Sequence, residues 1–312
     1  MIDFVKLRVD NQEIISFYHT EYESLNEFQK NGFLSYEVNL GIQFDFQIVN
    51  YLKGNNNEFS YLYISFKPHY IYNNGLHNGN DFSAFDCQLV IGKVFDYLEM
   101  NRFYIEDYLI VNLEFGVNII PYYSSKEIVD NTIFYKRSRF IINKGRYSKI
   151  SSSNRNDLTT DNLKSISSYK AIKFYCKGIH LEDKDLNLKE IKVDRNTLRF
   201  EIKTKRSSTI HQFFKTSDKP TFELLFTNDF YLTAKSILFK EFRYVFILNL
   251  NEEPLKSKEI NYWNNLFSNE EIDSKKLQRE KEKYKKSGPG IDLYNHLFRL
   301  IISKLKRLTI LP

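Results

Sequence analysis

Alternation between apolar and polar positions predicts a series of β-strands in the first two thirds of the chain. Helical periodicity takes over beyond about residue 208, and it also appears in two earlier stretches. The predicted strands cover residues 1–9, 34–52 (two strands), 58–67, 108–120, 170–177 and 197–205. The predicted helices cover residues 83–101, with Ser83 as N-cap, 125–135 and, at the end of the chain, 291–308.

This order of elements predicts an α+β fold, with a mostly antiparallel central sheet, helices packed on one face and a helical C-terminal part. We expect a catalytic domain over residues 1–206 and a helical region over 207–312, which either stands apart or packs on the same domain. The polar stretch 143–168 predicts a long loop or a mobile insert. The mixed charges of 270–286 are typical of a solvated helix.

Composition sets the broad class of protein. The 312 residues are 42% hydrophobic, with 27 Phe and 22 Tyr, which is enough for an aromatic core. Cys87 and Cys176 are too few for a disulfide framework, and both are expected to be buried. No apolar stretch is long enough to cross a membrane, and the N-terminus lacks a signal peptide, so we expect a cytoplasmic protein with no membrane partner. The net charge of +6 is compatible with nucleic acid as a partner.

One predicted strand carries a candidate nucleophile. Alternation along residues 170–177 places Lys173, Tyr175 and Lys177 on one face. A phenol between two ammonium groups can attack a phosphodiester, because the cations lower its pKa and hold the phosphate. The same pattern is also that of an ordinary amphipathic edge strand.

Two further strands extend this pattern if they lie in the same sheet. Their polar faces carry carboxylates that could hold a hard divalent cation, Glu114 and Glu201. Salt bridges to neighbouring Lys or Arg are the alternative role for both. His77, in a turn-rich loop, could complete a metal site or be exposed to solvent. The candidates to bind the DNA backbone are Lys173, Arg199, Lys203 and Lys205.

Several segments, in this order, resemble the rolling-circle replication initiators of filamentous phages and related plasmids. The resemblance covers roughly residues 1–206. The segments that carry it are Met1-Ile-Asp-Phe-Val-Lys-Leu-Arg8, Gly75-Leu-His-Asn-Gly-Asn-Asp-Phe82, Asn112-Leu-Glu-Phe115, Ala171-Ile-Lys-Phe-Tyr-Cys-Lys177 and Leu198-Arg-Phe-Glu201.

The resemblance implies that Tyr175 nicks single-stranded or supercoiled origin DNA and stays joined to the 5′ phosphate, so that the free 3′-OH primes synthesis. It implies that Lys177 contacts the scissile phosphate and that His77, Glu114 and Glu201 bind Mg or Mn. Host helicase and polymerase would be partners, and a phage-encoded protein would act in the host cytoplasm.

The chain also departs from the family pattern. It has no pair of histidines two residues apart, and His180 stands where the family commonly has an acidic residue. Tyr169 is a second, weaker candidate nucleophile. The final helix would pack on the domain or on a second copy, forming a homodimer. Two other functions stay open: a non-catalytic single-stranded DNA-binding protein that uses a basic aromatic sheet face, and a structural phage protein.

Overall fold

The computed structural model of the protein divides into two compact units. It describes residues 1–22, 27–30, 33–48, 59–136, 138–142, 148–152, 169–216, 219–251, 255–268 and 273–310. Unit 1 consists of Met1–Gly116, Ile202–Ser236 and Arg307–Pro312, and unit 2 consists of Val117–Glu201 and Ile237–Lys306. Both units draw on residues from either side of position 206, so the division differs from the predicted one at that residue.

Unit 1 contains an antiparallel sheet with short helices. Its strands are β1 (Ile2–Val9), β2 (Glu27–Lys30), β3 (Phe33–Val38), β4 (Ile42–Ile48), β5 (Phe59–Phe66), the first part of β6 (Leu109–Ile119) and the end of β12 (Leu198–Thr204). Its helices are α1 (Gln12–Tyr22), α2 (Pro68–Tyr72), α3 (Ala84–Tyr97), α6 (Ser207–Phe214) and the first part of α7 (Asn228–Phe242). Strands β2, β3, β4, β5 and β1 are neighbours in that order, and β1 also pairs with β6.

Unit 2 combines short strands with long helices. Its strands are the end of β6, β7 (Thr132–Tyr135), β8 (Ser138–Arg139), β9 (Ile141–Ile142), β10 (Ser148–Ser152), β11 (Lys170–Cys176), the first part of β12 and β13 (Val245–Ile247). Its helices are α4 (Ser125–Asn131), α5 (Lys177–Glu182), the end of α7, α8 (Leu255–Ser268), α9 (Ser274–Ser287) and α10 (Leu293–Leu308). Strands β12, β11, β10 and β9 are neighbours in that order, and β13, β7 and β8 form a small separate sheet.

Strands β6 and β12 are neighbours, and side-chain hydrogen bonds join them within each unit. In unit 1, the Thr204 hydroxyl accepts from the Leu113 N–H at 3.0 Å and donates to the Leu113 carbonyl at 3.1 Å. In unit 2, Arg199 donates to Asn118 at 2.6 Å. Each of these contacts holds β12 against β6 within its own unit.

Aromatic side chains fill the core of each unit, as the composition predicted. In unit 1, Phe44, Phe46 and Phe66 are buried on β4 and β5. In unit 2, the rings of Phe174 and Phe200 meet edge to face at 6.3 Å, and Phe200 meets Phe242 of α7 at 5.2 Å. These contacts align β11 with β12 on their apolar faces.

The predicted α+β class is confirmed, and every strand pair with a described register is antiparallel. Ser83 is the N-cap of α3, as predicted, and it forms a capping box with Asp86. The final helix begins at Leu293. Strand β10 lies inside the predicted loop 143–168, whose residues 143–147 and 153–168 fall outside the described part of the chain. Among the described residues, no helix is both long enough and apolar enough to cross a membrane.

Helix α5 begins directly after β11, and this connection depends on a glycine. A Cβ at Gly178 would lie 2.2 Å from the Arg195 carbonyl oxygen and 2.5 Å from that of Asp194. Since both are backbone atoms, they cannot move aside as a flexible side chain would. The close approach is also held by a hydrogen bond from the Gly178 N–H to the Thr197 carbonyl at 3.1 Å.

We therefore expect Gly178→Ala to lower the free energy of unfolding by about 1–3 kcal/mol, the usual range for overpacking. Gly92→Ala is the matched control, because its Cβ would meet nothing within 4 Å in the middle of α3. That change should be neutral or stabilising by about 0.5–1 kcal/mol. Urea denaturation of both variants measures the difference, and equal midpoints would contradict the close approach.

Candidate active site

Strand β11 places Tyr175 on a half-buried face. Ile172, Phe174 and Cys176 are buried on the opposite face, so the predicted alternation is confirmed over this strand. Burial raises the pKa of the Cys176 thiol to about 11, which keeps it neutral and unreactive near pH 7. Lys173 and Tyr175 are therefore the candidate functional residues on the half-buried face of β11.

The Tyr175 hydroxyl lies against a buried carboxylate. It donates to Glu201 Oε2 at 3.2 Å, while Lys173 Nζ donates to Glu201 Oε1 at 2.7 Å. Glu201 is only 3% exposed. A buried carboxylate is stable only when its charge is compensated and its oxygens accept hydrogen bonds, and here both oxygens do so.

Arg199 supplies the second cation to this carboxylate. Its Nε donates to Glu201 Oε2 at 3.1 Å and its Nη1 to Asn118 Oδ1 at 2.6 Å. Burial lowers the pKa of the guanidinium, which nevertheless stays charged because an arginine pKa starts above 12. Arg199 is 1% exposed, so it holds Glu201 in place and does not face solvent as a residue that binds DNA would.

Lys177 is the first residue of α5 and not, as predicted, the end of the strand. It is 2% exposed, and its Nζ lies 5.9 Å from the centroid of the Tyr175 ring. Burial lowers its pKa to about 8, and the nearby Glu201 carboxylate opposes that shift. The ammonium is therefore still largely charged at pH 7 and sits beside the phenol.

The cluster carries an excess of positive charge around a single phenol. Lys173, Lys177 and Arg199 contribute three positive charges and Glu201 one negative charge, a formal sum of +2. His180 of α5 adds an edge-to-face contact with the Tyr175 ring at 6.1 Å. Such an environment attracts a phosphate. Glu201 is placed to accept the proton that the phenol would lose.

Other predicted site residues lie in unit 1. Glu114 of β6 forms an ion pair with Lys203 of β12, which is the salt-bridge alternative for the Glu114 carboxylate. The Lys203 Nζ also lies 5.3 Å from the centroid of the Phe4 ring. Lys205 follows the end of β12 and is exposed. Lys203 is partly occupied by Glu114, and binding of DNA by Lys205 stays a prediction.

His77 is buried and not exposed as an ordinary loop histidine would be. It is 4% exposed, and its Nδ1 accepts a hydrogen bond from the Gly79 N–H at 3.2 Å. A second histidine in this region, His69, is also buried. Its Nδ1 lies 3.3 Å from Asp3 Oδ1, and its Nε2 lies 2.8 Å from Asn80 Oδ1. Nothing in the sequence spacing around His69 distinguishes it from a core residue.

The predicted metal ligands, as they stand in the structure, do not fit a hard divalent cation. Both oxygens of Glu201 already face Lys173, Arg199 or Tyr175, and Glu114 is paired with Lys203. Across the described ranges of the chain, no group of three or more His, Cys, Asp or Glu side chains could hold a metal ion. Binding of Mg or Mn by His77, Glu114 and Glu201 stays a prediction of the resemblance.

The structure brings Tyr175, Lys173 and Glu201 together and adds Asn118, which the sequence did not indicate. Asn118 was only one polar residue on the outer face of β6, and its contact with Arg199 depends on the β6–β12 register. The sequence also predicted an open polar face for β12. Burial of Arg199 and Glu201 shows that this face is covered there, and alternation alone cannot indicate which polar face is covered.

No family model matches the chain, and neither does any curated protein. Among solved structures, the chain is similar to a rolling circle replication initiator protein from Geobacillus stearothermophilus, with 13% sequence identity and a TM-score of 0.34. The match covers 85% of this chain and 95% of that one.

The buried ammonium of Lys177 predicts a specific pH dependence of stability. Its pKa falls from the ordinary value of 10.5 to about 8 on folding, so between these values the unfolded chain binds more protons than the folded one. The stability of the wild-type protein should therefore rise with pH over this window relative to Lys177→Met, by at most about 3 kcal/mol. Denaturation of both proteins between pH 7 and 10.5 measures the difference, and parallel profiles would contradict the assignment.

Proposed function

We propose that the protein nicks and rejoins single-stranded origin DNA through a covalent bond to Tyr175 and so initiates rolling-circle replication of a phage or plasmid. The observation that carries this proposal is the Tyr175 hydroxyl, which donates to the buried Glu201 carboxylate within a cluster of three cations. The order of sequence motifs that resemble replication initiators supports the same function.

In the proposed nicking step, the Tyr175 O–H gives its proton to Glu201 and the phenolate oxygen attacks the phosphorus. The bond between the phosphorus and the 3′ oxygen breaks, and that oxygen leaves and takes a proton from solvent. The 5′ phosphate stays joined to Tyr175, so the energy of the phosphodiester bond is kept. Rejoining is the reverse: a 3′-OH gives its proton to solvent and attacks the phosphotyrosine, and Tyr175 leaves and regains the proton from Glu201.

The cations have different roles in this scheme because they differ in exposure. The side chain of Lys173 is 25% exposed, so it can exchange Glu201 Oε1 for an oxygen of the arriving phosphate. That exchange leaves the carboxylate more basic at the moment when it must accept a proton. Buried Lys177 stabilises the phenolate by its charge, and Arg199 positions Glu201 throughout.

Dependence on Mg or Mn is proposed from the resemblance alone, and no step above requires it. If the resemblance extends to the metal, adduct formation will need Mg²⁺ or Mn²⁺ and stop in EDTA. The alternative function is a single-stranded DNA-binding protein in which the same buried ion pairs only stabilise the sheet. Binding of DNA with no covalent product under any metal condition would favour that alternative.

Replacing the proposed nucleophile should abolish the covalent product. Tyr175→Phe keeps the ring and removes only the hydroxyl, so we expect DNA binding but no adduct with labelled single-stranded DNA of random sequence. Tyr169→Phe is the matched control, because Tyr169 lies just before the same strand and is 41% exposed. Denaturing gel electrophoresis detects the adduct. An adduct that survives in Tyr175→Phe but is lost in Tyr169→Phe would contradict the assignment.

Removing the proposed base should slow the reaction without abolishing binding. Glu201→Gln keeps the shape of the side chain but cannot accept a proton, so the rate of adduct formation should fall by about 10²- to 10⁴-fold. Glu182→Gln is the matched control, since Glu182 is also ion-paired in unit 2, at the end of α5 and with Arg195. It should react at nearly the wild-type rate. Equal rates in both variants would show that Glu201 is not the base, provided that circular dichroism finds both folded.

A further inference from the structure

A second basic site lies in unit 2, on elements that the proposed reaction does not use. The end of α7, helix α9 and helix α10 enclose a groove of about 760 Å³. Four cationic residues line it: Lys240, Arg243, Lys285 and Lys286. Among the described residues that line the groove, Glu282 supplies the one carboxylate, so the formal charge of the lining is +3.

Three of these cations are open to a ligand. Lys240, Arg243 and Lys286 are exposed, and within the described part of the chain no carboxylate lies at ion-pair distance from them. Lys285, unlike these three, is partly buried and already has partners. Its Nζ lies 3.9 Å from Glu282 Oε1 and 3.7 Å from the centroid of the Tyr294 ring. Burial lowers the pKa of Lys285, and the carboxylates of Glu282 and Asp292 oppose that shift.

Aromatic rings lie between the cations. The groove is also lined by Tyr244, which is 37% exposed, and by Tyr294 and Phe298 of α10. The Arg243 guanidinium lies 5.9 Å from the centroid of the Phe298 ring. Cations that follow a backbone, together with rings that stack on bases, are what binding of single-stranded nucleic acid requires.

We propose that this groove binds a single strand of DNA, with Lys240, Arg243 and Lys286 on phosphates and the exposed ring of Tyr244 against a base. Of the described rings that line the groove, Tyr244 alone is exposed, whereas a membrane-binding surface needs several apolar side chains that project. The proposal does not depend on Tyr175 being a nucleophile. If Tyr175 does nick DNA, the groove holds a part of the strand that does not react.

The test compares two double substitutions with equal change of charge in the Tyr175→Phe protein, which cannot form an adduct. Lys240→Glu with Lys286→Glu removes two cations from the groove. Lys275→Glu with Lys276→Glu is the matched control, because both residues are exposed in the first turn of α9 and do not line the groove. Fluorescence anisotropy with a labelled single-stranded oligonucleotide, at several salt concentrations, gives the affinity and its salt dependence.

We expect the groove variant to bind the oligonucleotide at least about tenfold more weakly than the control variant. Its slope of log affinity against log salt should be smaller by about 1.4, since each phosphate contact on a single strand contributes about 0.7. Equal affinity in the two variants would overturn the proposal. So would an equal loss of affinity for duplex DNA, or a loss confined to vesicles of anionic lipid. Failure of Tyr175 to form an adduct would leave this result unaffected.

Discussion

The buried carboxylate of Glu201 is the group on which the candidate site depends. A charge that is 3% exposed would be strongly destabilising without partners, and Lys173, Arg199 and Tyr175 supply them. Lys173 and Tyr175 occupy alternate positions of β11. Arg199 lies on β12, two residues before Glu201. Because the carboxylate needs all of these contacts, it fixes the position of the phenol relative to the cations.

That requirement explains several features of unit 2 that otherwise look unrelated. Asn118 anchors the far side of Arg199, which ties the register of β6 to the geometry of the site. Phe174 and Phe200 align β11 and β12 from the apolar side. Gly178 lets α5 turn close to the backbone at Arg195, which brings Lys177 beside the Tyr175 ring. The site is thus a consequence of how these strands are aligned.

The sequence predicted much of this arrangement, since alternation is a strong signal in a half-buried strand. It identified β11, Tyr175 and Lys173, and it placed Glu201 on a neighbouring strand, either as a metal ligand or in a salt bridge with Lys or Arg. It failed where the outcome depends on what covers a polar face, as for Arg199 and Lys177, which are buried although long cationic side chains are usually exposed. Periodicity also could not predict that β11 ends at Cys176, because Lys177 continues the alternation. The groove lined by Lys240 and Lys286 is formed by helices that are far apart in the sequence, so no local pattern indicates it.

The identity of the residue that becomes joined to DNA tests this account most directly. Trypsin cleaves after Lys173 and Lys177, so the nucleophile would lie in the short peptide Phe174-Tyr-Cys-Lys177. After incubation with single-stranded DNA, nuclease treatment and digestion, mass spectrometry should find that peptide carrying a nucleotide through its tyrosine. A nucleotide on any other peptide, or a protein that binds DNA but never becomes joined to it, would contradict the account.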